Sequence, residues 1–182
     1  MQKRGIKEEC GQAALEFALV LPVFLFILFA IIEFGWVAFQ TMSFSRGVNN
    51  ARWDITAETL NDTDPLTDEL STKTYSGGDV GDLIAGAVKD SSLWAFQEGN
   101  LSVVNAKAIL SNKKSEFKVP GIEEGEQAEA ATITRYMELQ ADLSYRVYPI
   151  TGLGSWFFGS DGLELHRSID CRRVIGSQHR SG

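Results

Sequence analysis

The chain has 182 residues and a formal net charge of −7, a length that allows one domain together with a membrane anchor. The acidic balance argues against a nucleic-acid-binding surface, because such surfaces carry clustered Lys and Arg. Two cysteines and two histidines are too few for a disulfide framework or a metal-binding cluster, and we predict no metal site and no cofactor.

The first element along the chain is an apolar run from Phe17 to Phe39, whose only charged residue is Glu33. As a helix, this run is roughly 34 Å long, enough to cross a bilayer core of about 30 Å. A buried helix of a soluble domain and a cleaved secretory signal peptide are the alternatives. We predict a transmembrane helix, because the run is longer than the apolar region of a signal peptide and soluble cores rarely hold runs of this length.

Two acids accompany the run, Glu16 directly before it and Glu33 within it. They are separated by roughly 25 Å of helix, so we expect them near opposite faces of the membrane, where a carboxylate costs less than at the centre. Glu33 either marks the outer membrane boundary or pairs with another membrane helix, and the sequence leaves both interpretations open.

The order of segments before the run is unusual, because the polar residues 1–11 end in Gly11 and the apolar residues begin after it. Gly11 followed by "QAALEF", residues 12–17, resembles the prepilin peptidase site of type IV pilins and pseudopilins. The stretch "ALVLPVFLFILFAIIEFG", residues 18–35, resembles the TadE group of tight-adherence pilus proteins. A fainter resemblance to the C-terminal regions of that group covers "LSYRVYPITGLGSWFFG", residues 143–159.

The resemblance implies cleavage between Gly11 and Gln12, which places Glu16 fifth in the mature chain and the aromatic Phe17 next to it. It also implies that Glu16 pairs with an N-terminal amine during assembly, where a negative charge at the helix start suits the helix dipole. The alternative is that Glu16 reaches the membrane interface of an uncut anchor.

The function implied is that of a non-catalytic TadE-like pseudopilin in tight-adherence pilus assembly or secretion. Its partners would be prepilin peptidase, other pilins and pseudopilins, inner-membrane assembly proteins and the lipid bilayer, with no nucleic acid. It would lie in the bacterial inner membrane as a single-pass protein, with a cytoplasmic N-terminus and a periplasmic C-terminal domain. The alternative function is a single-pass protein whose periplasmic domain binds or senses a ligand outside any pilus.

An amphipathic stripe continues the helix beyond the membrane through Val37, Phe44, Val48, Ala51 and Ile55, and it packs on its own domain or on other subunits. The turn formers "NDTDP" at 61–65 end it. We therefore predict five segments along the chain: a leader (1–11), a transmembrane helix (12–39), a periplasmic helix extension to Leu60 (40–60), a linker (61–78) and an α+β domain (79–182).

The α+β domain is predicted from one helical pattern and several alternating patterns. Residues 80–88 have helical apolar spacing, and residues 133–147 alternate strictly between apolar and polar side chains. Residues 101–110 and 116–119 are predicted as strands that flank a turn, and residues 163–174 as a strand that pairs back. The predicted fold is thus a long N-terminal transmembrane and stalk helix followed by a short helix and an antiparallel sheet.

Three further features are weighed as sites. The acids Asp62, Asp64, Asp68 and Glu69 lack the spacing of a calcium loop, so a solvated turn is favoured. The cluster Trp156, Phe157 and Phe158 is either a docking patch or folds back onto the domain core. Cys171 is either a small core residue or a thiol that crosslinks two subunits. No Ser/His/Asp or Cys/His set indicates a catalytic site.

Overall fold

A computed structural model of the chain describes residues 4–62, 71–120 and 127–181, with side chains for 12–62, 71–118 and 130–178. The chain divides into two compact units. The first, called the anchor unit here, comprises Met1–Gln40 and Val147–Leu163. The second, called the sheet unit, comprises Thr41–Arg146 and Glu164–Gly182.

Helix α1 runs from Arg4 to Asp54 and is the one described helix that is long and apolar enough to cross a membrane. No residue in its most apolar window is buried, as expected for a helix whose apolar surface is covered by lipid or by other chains. The predicted long N-terminal helix is thus present, and it includes the backbone on both sides of Gly11.

Helix α1 ends at Asp54, before the predicted end at Leu60. The residues that follow form a turn in which the Thr56 amide donates to Thr59 Oγ1 at 2.9 Å and the Thr59 amide donates to Thr56 Oγ1 at 3.4 Å. Threonine hydroxyls compete with helical hydrogen bonds in this way, and Asn61 then has a positive φ of 54°. The periodicity of apolar residues did not reveal this local competition.

The remaining elements form one antiparallel sheet with short helices, so the predicted α+β fold class is confirmed. The strand order is β1-β2-β3-β4, so strands that follow one another along the chain are also neighbours in the sheet. The elements are β1 (Thr72–Ser76), α2 (Gly78–Ser91), a 3-10 turn (Glu98–Asn100), β2 (Leu101–Pro120), β3 (Gln127–Val147), α3 (Gly152–Phe158) and β4 (Leu163–Ser181).

Two predictions about the strands were wrong. The expected turn at residues 111–114 does not exist, because β2 is continuous and Asn112 and Lys114 pair with Arg135 and Ile133 of β3. The polar residues 111–114 of β2 have the composition of a turn, which explains the wrong prediction. Strand β1 was not predicted at all and lies within the proposed linker 61–78, of which residues 63–70 lie outside the described part of the chain.

The core of the sheet unit lies between the sheet, α2 and the outer part of α1. Phe44 of α1 stacks on Tyr145 of β3 with ring centroids 5.1 Å apart, and Phe96 stacks on the same ring at 4.9 Å. Burial raises the pKa of Tyr145, and its hydroxyl accepts a hydrogen bond from the Gln97 amide. The outer residues of the predicted stripe are buried here, so the stripe packs on its own chain: Phe44, Val48, Ala51 and Ile55.

Helix α2 approaches α1 closely at Gly47. A Cβ at this position would lie 2.2 Å from Ser92 Oγ and 2.6 Å from the Val88 carbonyl oxygen. Ser43 of α1 binds the same region, since its hydroxyl accepts from the Leu93 amide at 2.9 Å. The predicted helix at 80–88 is thus confirmed, and a glycine in the stalk helix makes its close packing possible.

Candidate functional site

The predicted leader junction lies inside a continuous helix, because α1 begins at Arg4 and runs through Gly11 and Gln12. Side chains up to residue 11, including that of Cys10, lie outside the described part of the chain. On the other side of the junction, Gln12 Nε2 donates to Glu16 Oε1 at 3.1 Å. These two residues are four positions apart and share one helix face, so the structure brings the predicted cleavage residue and the predicted acid together.

The surface of α1 around Glu16 is apolar and exposed. Phe17, the predicted aromatic of the motif, is 66% exposed. Soluble monomers rarely expose apolar patches of more than a few hundred Å², and this surface extends over many turns of the helix. Its most exposed members are Leu15, Phe17, Leu19, Val20, Val23, Phe24, Ile27, Ile31, Ile32 and Phe34.

Glu33 has the opposite environment, since its side chain is 0% exposed. Its Oε1 accepts from the Ile150 amide at 2.7 Å. Its Oε2 accepts from the Thr151 amide at 3.1 Å and from Thr151 Oγ1 at 2.8 Å. The carboxylate thus binds two backbone N–H groups and one hydroxyl of the segment that connects β3 to α3.

Two features of the local sequence allow this segment to bind the carboxylate, a threonine N-cap and a glycine. Thr151 is the N-cap of α3, and its hydroxyl accepts from the Gly154 amide at 3.2 Å while it donates to Glu33. A Cβ on Gly154 would lie 2.2 Å from Glu33 Cδ and 2.5 Å from Pro149 Cβ, so only glycine leaves room. We call the site formed by Glu33, Pro149, Ile150, Thr151 and Gly154 the Glu33 seat.

Sequence reasoning missed the partners of Glu33. Both interpretations of this acid placed it at a membrane boundary or beside another membrane helix, whereas the structure pairs it with residues of its own chain. Two signals in the sequence were available. A carboxylate in an apolar run requires hydrogen-bond donors, and "PITGLG" at 149–154 combines a threonine N-cap with small residues that expose backbone N–H groups.

The aromatic cluster Trp156, Phe157 and Phe158 packs in part on α1 and not on the core of the α+β domain, and its predicted role as a docking patch stays a prediction. The Phe157 ring lies 6.1 Å from that of Phe26 and 5.8 Å from that of Phe34, and the Phe158 ring lies 5.3 Å from that of Phe34. Both phenylalanines therefore fold against α1, within the anchor unit. Trp156 is 75% exposed and contacts Phe157 edge-on at 4.9 Å.

The remaining candidate sites are the acidic residues after α1 and Cys171. No group of His, Cys, Asp or Glu suited to a metal ion occurs in the described ranges. Asp62 is buried and pairs with Arg135 at 2.5 Å and with Lys73 at 3.6 Å, whereas Asp64, Asp68 and Glu69 lie outside the described residues. Cys171 is a half-buried free thiol.

The sheet unit has an open cavity of about 620 Å³ where β1 leads into α2. Its wall includes a β-bulge in β2, where the register shifts between Val104 and Lys107. Asn105 at this bulge has a φ of 55° and donates from Nδ2 to Asp142 at 2.8 Å. The polar residues at its edge are Ser76, Asp82, Asn105 and Lys107.

Comparison with known proteins gives one family. The model of the TadE-like protein family matches residues 11–51, which confirms the resemblance predicted from Gly11, Glu16 and the apolar run. The match begins at the proposed cleavage residue and ends near the end of α1, so the fainter resemblance at 143–159 lies outside it. Neither the search of curated proteins nor the search of solved structures found a match.

Proposed function

We propose that this protein is a TadE-like pseudopilin, a membrane-anchored and non-catalytic component of tight-adherence pilus assembly. The observation that carries the proposal is the TadE-like match over residues 11–51, because this segment contains the predicted cleavage residue, Glu16 and the whole predicted span. The apolar and exposed surface of α1 over the same residues supports membrane anchoring. The specific role in assembly is inferred from the motif.

The proposed role depends on cleavage after Gly11 by prepilin peptidase. Cleavage creates an α-amine on Gln12, one helical turn before Glu16. The side chains of these two residues already meet at 3.1 Å, so a carboxylate stands on the same face as the new cation. A negative charge in the first turn also interacts favourably with the helix dipole, by about 0.3–1 kcal/mol at exposed positions.

In the membrane, this carboxylate requires a cationic partner, because an unpaired charge is costly in a low dielectric. The amine of the same chain or of a neighbouring pilin supplies it. The second arrangement fixes the axial register of two adjacent helices, since the favourable contact forms only when one N-terminus lies beside the other chain's Glu16. The proposed partners are therefore other pilins and pseudopilins, together with inner-membrane assembly proteins.

Peptidase processing also fixes the orientation, because the enzyme cuts leaders on the cytoplasmic side. Residues 40–182 then lie in the periplasm, and the protein is a single-pass component of the bacterial inner membrane. The bias of positive charges supports this only weakly, with Lys3, Arg4 and Lys7 before the span and Arg46 and Arg52 after it.

The first test is the mature N-terminus, determined by mass spectrometry on protein from cells with active prepilin peptidase. We expect a chain that begins at Gln12. Gly11→Leu should abolish the cut because the bulky side chain replaces the glycine at the scissile bond. Gly5→Leu is the matched control within the same leader and should leave cleavage unchanged. An intact Met1 in the unaltered protein refutes the processed form.

The second test separates the charge of Glu16 from its shape. Glu16→Gln keeps the size of the side chain but cannot attract an amine, so we expect normal insertion and a large loss of surface pili. Glu8→Ala removes an acid that leaves with the leader and serves as the control. Pilus output from Glu16→Gln equal to that of the unaltered strain contradicts the pairing role.

The alternative function, a periplasmic binding or sensing domain outside any pilus, has one supporting observation, the 620 Å³ cavity beside α2. The two functions differ in the effect that loss of the protein has on surface pili. A pseudopilin is required for pilus assembly, and its loss abolishes or reduces surface pili. Deletion of a sensing protein that acts outside any pilus leaves the number of surface pili unchanged.

A further inference from the structure

The segment that provides the Glu33 seat carries no charge, since no charged residue lies between Arg146 and Asp161. It folds along α1, where Phe157 contacts both Phe26 and Phe34. These two contacts are about 12 Å apart along the axis of α1. Phe26 and Phe34 both lie within the run predicted to cross the membrane. Helix α3 therefore packs on the membrane-spanning part of α1 and not on the part that extends into water.

The face of this segment that points away from α1 is apolar and uncovered. Trp156 is 75% exposed and Ile150 is 56% exposed. In water, each exposed Å² of apolar surface costs about 25 cal/mol relative to an apolar environment, whereas the acyl chains next to α1 remove that cost. Tyr148 is a further exposed apolar side chain of the segment.

Three backbone groups of the irregular loop before α3 have hydrogen-bond partners within the protein. Pro149 has no N–H, and the N–H groups of Ile150 and Thr151 both bind Glu33. The Tyr148 carbonyl accepts from Trp36 Nε1 at 3.2 Å. Irregular backbone is tolerated at membrane depth only where protein groups satisfy it, because lipid offers no hydrogen bonds. The Glu33 seat meets this requirement for the N–H groups of Ile150 and Thr151.

The segment is too short to span a membrane, which takes about 20 residues, so it enters and leaves the lipid on one side. We infer that residues 148–158 form an aromatic element embedded in the leaflet on the side of Glu33, with lipid as the partner of its outer face. The Trp156 ring lies 4.9 Å from that of Phe157, which contacts Phe26 near the middle of the span, so its outer face lies among the acyl chains. The inference rests on the membrane anchoring proposed above.

Fluorescent labels in phosphatidylcholine vesicles test the inference on the full chain. The background is Cys10→Ser with Cys171→Ala, and single cysteines for an environment-sensitive dye are introduced by Trp156→Cys, Ile27→Cys or Trp94→Cys. Ile27 is exposed in the middle of the span, and Trp94 is exposed in the sheet unit. Quenching is measured with lipids that carry a doxyl group either high or low on the acyl chain.

We expect the label of Trp156→Cys to be quenched several-fold more strongly than that of Trp94→Cys by the doxyl lipids. Ile150→Cys provides a second label with the same expectation, because Ile150 binds Glu33 through its backbone alone. A water-like signal at both positions, with strong quenching at Ile27→Cys, overturns the lipid contact and leaves the anchor intact.

Two other results also overturn the inference. No quenching at Ile27→Cys refutes the membrane anchoring and the lipid contact together. A blue-shifted but unquenched label at Trp156→Cys means that protein, such as a second copy of the chain, covers this face instead of lipid.

Discussion

Removal of the Glu33 carboxylate is the most direct perturbation of the anchor unit. Glu33→Ala leaves two backbone N–H groups, those of Ile150 and Thr151, without the acceptor that now lies 2.7 Å and 3.1 Å away. A buried donor that loses its partner costs about 1–3 kcal/mol. The loss of the acceptor for both N–H groups therefore destabilises the folded form of the Glu33 seat by roughly 2 kcal/mol or more.

Hydrogen exchange at these amides measures that loss directly, because protection reports the free energy of local opening. A loss of about 2 kcal/mol corresponds to roughly a thirtyfold fall in protection. The exchange of residues 148–158 is compared by mass spectrometry in nanodiscs, where the bilayer is retained. Glu33→Gln keeps the size of the side chain and one carbonyl oxygen, so we expect an intermediate fall.

Glu16→Ala is the matched control for this experiment. It removes an acid from the same helix, but Glu16 is exposed and its described hydrogen bond is to Gln12. Protection of Ile150 and Thr151 should therefore be unchanged. If residues 148–158 of Glu33→Ala show the same protection from hydrogen exchange as those of the unaltered chain, the carboxylate does not stabilise the packing of this segment on α1.

Two glycine substitutions test the close approaches on which each unit depends. Gly154→Ala places a methyl group 2.2 Å from the carboxylate of the seat, so we expect the same region to lose protection, whereas Gly152→Ala has open space around it and should not. Gly47→Ala drives a methyl group into the backbone of α2 and should destabilise the sheet unit by about 1–3 kcal/mol. Gly86→Ala, which also meets open space, should be neutral or stabilising in the same thermal unfolding series, and equal melting temperatures for the two variants contradict the packing of α2 on α1.

Periodicity predicted the elements whose burial follows a simple pattern. The alternation of residues 133–147 correctly gave β3, and the stripe through Phe44 and Ile55 correctly gave the buried face of the outer helix. The boundaries failed where side-chain chemistry competes with periodicity. Hydroxyl hydrogen bonds end α1 before Leu60, and pairing with β3 keeps β2 extended through a polar stretch that resembles a turn.

The Glu33 seat was not predictable from periodicity, because it is a long-range contact between residues more than one hundred positions apart. A periodic pattern identifies which face of an element is buried but not which other segment buries it. By contrast, the pairing of Gln12 with Glu16 is local, and helix geometry alone places residues four apart on one face. Local spacing thus predicted the contact between Gln12 and Glu16, whereas the Glu33 seat could be identified only from the three-dimensional structure.

The different surroundings of the two acids indicate which of them is available to a neighbouring chain. An amine that approached Glu33 would have to replace three hydrogen bonds made at 2.7, 2.8 and 3.1 Å, at a cost of about 1–3 kcal/mol for each donor left unsatisfied. At Glu16 the same amine replaces one described amide hydrogen bond, that from Gln12, and an exposed side-chain pair four residues apart on a helix contributes only about 0.2–0.5 kcal/mol. The ammonium restores that energy through its own charge-assisted bond. The hydrogen bonds of Glu33 therefore favour Glu16 as the acid of the proposed intermolecular pairing, since Glu33 already binds the segment 150–151.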